Sequence, residues 1–214
     1  MASITLYGYH YSVYLRIARM TLLEKGVSWA HVEVDPFAQT IAPDYLTLHP
    51  FGRVPTLKHG DLVLYETTAI TRYVDEVFAG KSLQPADARG RARMNQIVAV
   101  ADSYGYWPMV RQVFSQRIFN AALGAPPDEM MIADGLAASR KVLCAIETLS
   151  EGRDCLVGDA LSLADLHLGA MVAYFTAAPE GSAVLADFPR LSRWWNTMNG
   201  RRSMLDTDPG LPRA

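Results

Sequence analysis

The chain has 214 residues, half of them apolar, with 20 basic and 22 acidic side chains and a net charge of -2. These proportions fit an ordinary soluble globular protein and leave no basic footprint for nucleic acid. The longest apolar run, Leu168 to Ala178, has eleven residues, short of the roughly 18 a spanning helix needs; the N-terminus MASITLYGYHY does not read as a secretory signal, so we expect a cytoplasmic protein with no membrane partner.

In chain order, Ile4 to Tyr7 is an apolar and aromatic run that predicts a strand, ended by Gly8. Val13 to Lys25 changes to helical spacing, with Ile17, Met20 and Leu23 on one stripe and Gly26 as the stop. Trp29 to Val34 alternates as a second strand before Pro36. A short helical stretch follows at Asp44 to Leu48. Val54 to Leu57 predicts a third strand, His59-Gly60-Asp61 a tight turn, and Leu62 to Tyr65 the antiparallel partner. A helix over Glu66 to Phe78 closes the set. The order β-α-β, then β-β-α, predicts an α/β thioredoxin-like domain over residues 1–80.

AGKSLQPADAR at 79–89 mixes Gly, Pro and charge without period, so the linker is expected at 81–89. Residues 90–214 are helical in character throughout: Arg91 to about Phe119, Met130 to Leu149, Leu163 to Ala177 and Pro189 to Asn199. We expect an all-α helical bundle domain there.

The two cysteines, Cys144 and Cys155, form no Cys-x-x-Cys pair, and the five histidines are scattered; neither a dithiol motif nor a metal site is predicted. Ser12 stands at the start of the first helix, where it either caps the helix or offers its hydroxyl to an anion such as a thiolate. Val54-Pro55 opens the third strand; a cis peptide there would leave the Val54 backbone to pair with a peptide-like ligand, while a trans proline would only start an edge strand. Glu66 and Thr67 open the helix after the hairpin, Thr67 as its cap or the two together as a grip on an amino acid's charged ends. Ser162 to Asp165 fits the capping box. Tyr104, Tyr106, Trp107, Met109, Val110 and Phe114 make the next helix more aromatic than a core stripe needs, so some are expected to form an apolar wall for a ligand.

Taken together these segments resemble the glutathione transferases, and the serine-type phi class in particular. YGYHYS followed by LRIARMTLLEKG is similar to that class's strand, serine and first helix. HPFGRVPTLKHGDLVLYETTAITRYV resembles its "NPFG-x-VP... GD-x-x-L-x-E-S-x-AI-x-x-Y" stretch. SLADLHLGAMV and FPRLSRWWNTMNGRRSM resemble the helical domain's capping box and final helix, so the likeness spans nearly the whole chain.

The resemblance implies that Ser12 activates the thiol of glutathione, the co-substrate, without a metal. It implies that Val54 pairs with the cysteinyl backbone ahead of a cis Pro55, and that Glu66 with Thr67 holds the γ-glutamyl end. Arg53 stands where the family often has glutamine. The family's basic pair for the glycyl carboxylate is replaced by Thr40 and Ile41, with Gln39 as the substitute. Tyr11, Tyr104, Trp107 and Val110 are the expected electrophile contacts, and Tyr7 or Tyr11 the alternative hydroxyl donors. A homodimer is implied, with Asp102 reaching the neighbouring subunit's glutathione. The expected activity is conjugation of glutathione to small apolar electrophiles in detoxification; the alternatives are a glutathione-dependent peroxidase and a non-catalytic interaction module of the same fold.

Overall fold

The computed structural model describes residues 3–150 and 154–212. Strand β1 (Ile4–Gly8) buries Ile4, Leu6 and Gly8 and half-covers Thr5 and Tyr7, the period-2 pattern of a strand with one face on a core. It is central in a four-stranded sheet of order β2-β1-β3-β4, where β2 is Ala30–Glu33, β3 Thr56–His59 and β4 Leu62–Tyr65. β1 runs parallel to β2 and antiparallel to β3, and β3 and β4 form the expected hairpin.

Helices α1 (Val13–Glu24) and α3 (Thr67–Val77) pack on the sheet. Leu6 and Leu57 from the strands meet Leu15, Ala18 and Leu22 from α1 and Ile70 and Val74 from α3 in one buried cluster. The end of α1 is tied to α3 by a buried ion pair, Lys25 Nζ to Asp75 Oδ1 at 3.0 Å, and Lys25 also donates to the Lys81 carbonyl. Removing one partner of such a pair costs about 3–5 kcal/mol, because the other charge is left stranded.

Three expectations need correction here. The third strand starts at Thr56 and not Val54, since Pro55 has no N–H to give a ladder. Thr67 does not cap α3: Glu66 holds that position and Thr67 is the first helical residue. Trp29 and Val34 fall just outside the short β2.

The chain divides into two compact units, one running to Ser82 and including Thr207–Pro209, the other comprising Leu83–Asp206 and the residues from Gly210. In the second, α4 (Ala88–Val100) runs on as a π-helical stretch, Ala101–Phe119, and a last turn α5 (Asn120–Ala122). Pro108 lies inside the π stretch; lacking an N–H it disrupts regular α bonding. α6 (Glu129–Leu149), α7 (Leu163–Ala177), α8 (Pro179–Ala186), α9 (Pro189–Asn199) and α10 (Arg202–Asp206) follow. α8 and α10 were not anticipated from the sequence.

α7 is buried on nearly every side, which explains the apolar run as a core helix. Among the described residues no helix is long and apolar enough to cross a membrane. The capping box is present. Asp165 accepts from the Ser162 amide and hydroxyl, the Leu156 amide and Trp194 Nε1, all between 2.7 and 2.9 Å.

Candidate active site

Sheet register decides which loops meet. Tyr7, Thr56 and Tyr65 are aligned across β1, β3 and β4, so the residues one step further, Gly8, Pro55 and Glu66, leave the sheet at the same end. Gly8 is also aligned with Glu33 at the end of β2. The turn carrying Ser12, the Arg53–Pro55 segment, the Glu66–Thr67 step and the loop holding Gln39 therefore all begin or end along one rim. The N-termini of α1 and α3 both open there, with backbone N–H groups and positive dipole ends that favour an anion.

Ser12 is half-buried at the N-cap of α1, and its Oγ accepts from the Leu15 amide at 3.3 Å. This bond uses a lone pair of the hydroxyl and leaves its proton to be donated elsewhere. Capping and donation to an anion, which stood as alternatives in the sequence, are thus compatible in one side chain.

The Val54–Pro55 peptide is cis. Pro55 is buried and Val54 half-buried; among the described residues neither the N–H nor the carbonyl of Val54 has a backbone partner. The segment is held from beneath by Tyr45 of α2 (Pro43–Leu48), whose hydroxyl donates to the Arg53 carbonyl at 2.6 Å and lies 2.9 Å from Thr56 Oγ1. Burial pushes the Tyr45 phenol above its usual range, partly offset by Thr56, so it is a neutral donor. The Arg53 side chain is exposed.

Glu66 has φ 70° and ψ 117°, a region that non-glycine residues rarely occupy and that costs of order 1–3 kcal/mol. Its side chain is exposed and makes no cap bond to α3; Thr67 is buried. Strain at an uncapped helix start is a feature of functional sites, where surrounding structure holds a residue in place for a ligand.

Gln39 is exposed in the bend after β2, with Thr40 beside it. Ile41 packs against backbone: Gly52, at φ +59°, comes so close that an added Cβ would lie 2.6 Å from Ile41 Cδ1.

His49 was not singled out from the sequence. It is buried and, among the described residues, its Nδ1 has no hydrogen-bond partner, and its ring lies 4.7 Å from that of Tyr65. Tyr45 was missed too, because an isolated tyrosine in a six-residue helix carries no pattern that marks it.

Tyr7 is half-buried in β1, tilted against Tyr45. Tyr11 is half-buried in the turn before Ser12, where Tyr9, His10 and Tyr11 pack edge to face and Phe37 leans on Tyr9. In the second unit the aromatic stretch divides. Tyr104 and Trp107 are 66% and 58% exposed, while Val110, Met109 and Phe114 are core. Asp102 is held by buried His167, Nδ1 to Oδ1 at 3.2 Å.

Residues 6–82 match the family "Glutathione S-transferase, N-terminal domain" and residues 106–202 the family "Glutathione S-transferase, C-terminal domain". The probable glutathione S-transferase GSTF2 of Oryza sativa subsp. japonica is 33% identical over 205 residues, covering 95% of this chain and 94% of that protein. Among solved structures, glutathione S-transferase III in apo form superposes with a TM-score of 0.84 at 30% identity, covering 96% of this chain and 95% of that one. Glutathione S-transferase I from mais, in complex with an atrazine glutathione conjugate, gives 0.83 at 28% identity with 96% of each chain covered. The fold is that of a glutathione S-transferase, an α/β sheet domain followed by a helical one. The chain belongs to the glutathione S-transferase family, and its relatives are plant enzymes of the F, or phi, type.

Proposed function

We propose that this transferase joins the sulfur of glutathione to small apolar electrophiles. In this reading Ser12 donates its hydroxyl proton to the thiolate, the Val54 backbone pairs with the cysteinyl residue beside cis Pro55, and Glu66 with Thr67 holds the γ-glutamyl end. Gln39 and Arg53 flank the remainder of the peptide. The thiolate forms a carbon–sulfur bond, and the leaving group departs with its electron pair or, in an addition, the adjacent carbon takes up a proton.

The observation that carries this reading is the common rim: register alone gathers the Ser12 turn, Arg53–Pro55 and Glu66–Thr67 at one end of the sheet. The energetics agree. Lowering a thiol pKa from about 8.5 by two units takes about 2.7 kcal/mol. A hydrogen bond to a charged group supplies roughly 1.5–3 kcal/mol and a helix N-terminus roughly 0.3–1 kcal/mol. One serine at the start of α1 is therefore sufficient, and neither Tyr7 nor Tyr11 is required as donor.

The conjugate bound in the structure from mais supports an organic electrophile as second substrate. Tyr11, Tyr104, Trp107 and Val110 are its proposed contacts. The protein works as a homodimer in the cytoplasm, in detoxification, with Asp102 offered to the neighbouring subunit's glutathione.

The test is calorimetric titration of glutathione into wild type and Ser12→Ala, with thiolate absorbance followed against pH on both. Wild type should bind and ionise the thiol near pH 7, and the variant should bind with the thiol pKa shifted up by about one to two units, the share one charged hydrogen bond supplies. Equal thiol pKa values in the two proteins would remove Ser12 from the mechanism.

A further inference from the structure

Two residues that bracket Ser12 are held by a segment near the other end of the chain. His10 Nε2 lies 3.2 Å from the Pro209 carbonyl, and Arg16 Nε donates to Thr207 Oγ1 at 3.4 Å. Both Arg16 and Thr207 are buried, Thr207 completely, and Thr207–Pro209 pack as part of the sheet unit. A carbonyl only accepts, so the histidine must present its Nε2–H to Pro209.

These side chains are joined to the serine by short routes. The Arg16 amide donates to the Ser12 carbonyl at 3.0 Å, and the Ser12 amide to the Tyr9 carbonyl at 2.8 Å. The His10 amide is fixed by Glu33 Oε1 at 2.9 Å, and its ring stands edge-on to Tyr11 with centroids 5.0 Å apart. The turn is thus anchored to β2 on one side and to Thr207–Pro209 on the other.

We propose that Thr207–Pro209 form a strap that holds the Ser12 turn in its donating orientation, which makes His10 and Thr207 positioning residues for thiol activation; this rests on Ser12 as the thiolate's donor. A hydroxyl bond to an anion weakens steeply as its angle departs from linear. A short, half-buried turn samples several orientations unless something restrains it. Anchors on either side of the serine limit that motion, and the hydroxyl is then pre-aimed when substrate binds.

His10→Phe keeps a ring against Tyr11 and removes the donor to Pro209. Thr207→Val keeps the buried shape and removes the acceptor for Arg16, and Thr207→Ser restores it. Thiolate absorbance of bound glutathione against pH, glutathione titration and thermal unfolding are measured on each. We expect His10→Phe and Thr207→Val to raise the bound thiol's pKa by about half a unit to one unit, roughly three- to tenfold less thiolate at a pH below it. At a pH well below the bound thiol's pKa, where the thiol is protonated in every variant, glutathione affinity should stay within about twofold of wild type, the change falling on ionisation, and Thr207→Ser should return the wild-type pKa. A wild-type thiol pKa in both variants overturns the strap, whatever happens to their melting temperatures. Ser12→Ala measured alongside separates two failures. An unchanged thiol pKa in that variant overturns the serine mechanism and the strap together, whereas a change in that variant alone overturns only the strap.

Discussion

The hydroxyl of Tyr45 holds the carbonyl of Arg53 at 2.6 Å, so a residue in a short helix fixes the backbone that leads into the cis Val54–Pro55 peptide. The bond is buried at the tyrosine end, and the same oxygen is shared with Thr56 at the first position of β3. The edge along which a peptide ligand would pair is thereby set from inside the fold.

Tyr45→Phe removes this anchor without removing the ring. Stability should fall by about 1 kcal/mol, the usual net worth of one hydrogen bond, with a further cost from the acceptors left buried. Glutathione KM should rise several-fold with kcat little changed, since binding and not ionisation depends on the segment. An unchanged KM would mean that the loop is held well enough by its other contacts.

His49 makes stability depend on pH. Burial pushes its imidazole pKa down, with the Glu66 carboxylate opposing and the Arg53 guanidinium reinforcing that direction. The folded state therefore resists protonation where the unfolded chain already accepts a proton, and stability should fall as pH drops below about 6.5 towards the folded-state pKa. His49→Asn carries no such proton. Urea unfolding at pH 7 and pH 5 should show a smaller loss of stability in the variant than in wild type. Equal losses would place the acid sensitivity elsewhere.

Asp165 is the acceptor for four donors at the start of α7, and burial pushes its carboxyl pKa up against them. Asp165→Asn turns one acceptor oxygen into a donor facing donors. A loss of about 3 kcal/mol is expected, read as a lower urea midpoint, because amides of Leu156 or Ser162 lose their partner inside the protein. A loss below about 1 kcal/mol would show that the local structure re-forms around the amide.

The elements with strong local signals were legible in the sequence. Leu163–Ala177 and Pro189–Asn199 are where their patterns put them, because a long apolar run behind a capping box, or a proline start before amphipathic spacing, allows few other conformations. The hairpin partner Leu62–Tyr65 is likewise as expected. α8 and α10 were not legible: one is eight residues and the other five, too short for periodicity to stand out. β3 began late because proline's missing donor outweighed the apolar character of Val54.

Along the rim, sequence alone singled out Ser12, Pro55, Glu66 and Thr67 as residue types able to cap helices, start strands or bind charged ends. It left Ser12 suspended between capping and donation, a choice that the geometry of the Leu15 bond dissolves. The apolar character of Ile41 became intelligible only with Gly52 against it.

What the sequence by itself determined is the set of elements and the chemistry available at their ends, since propensity, capping and apolar period act over a few residues. What only the tertiary structure decided is which of those ends share a rim, that Tyr45 braces Arg53, that His49 is buried, and that Thr207 reaches Arg16. The two hydrogen bonds among them join residues 8 and 191 positions apart, and such relations follow from sheet register and packing, which no local pattern encodes.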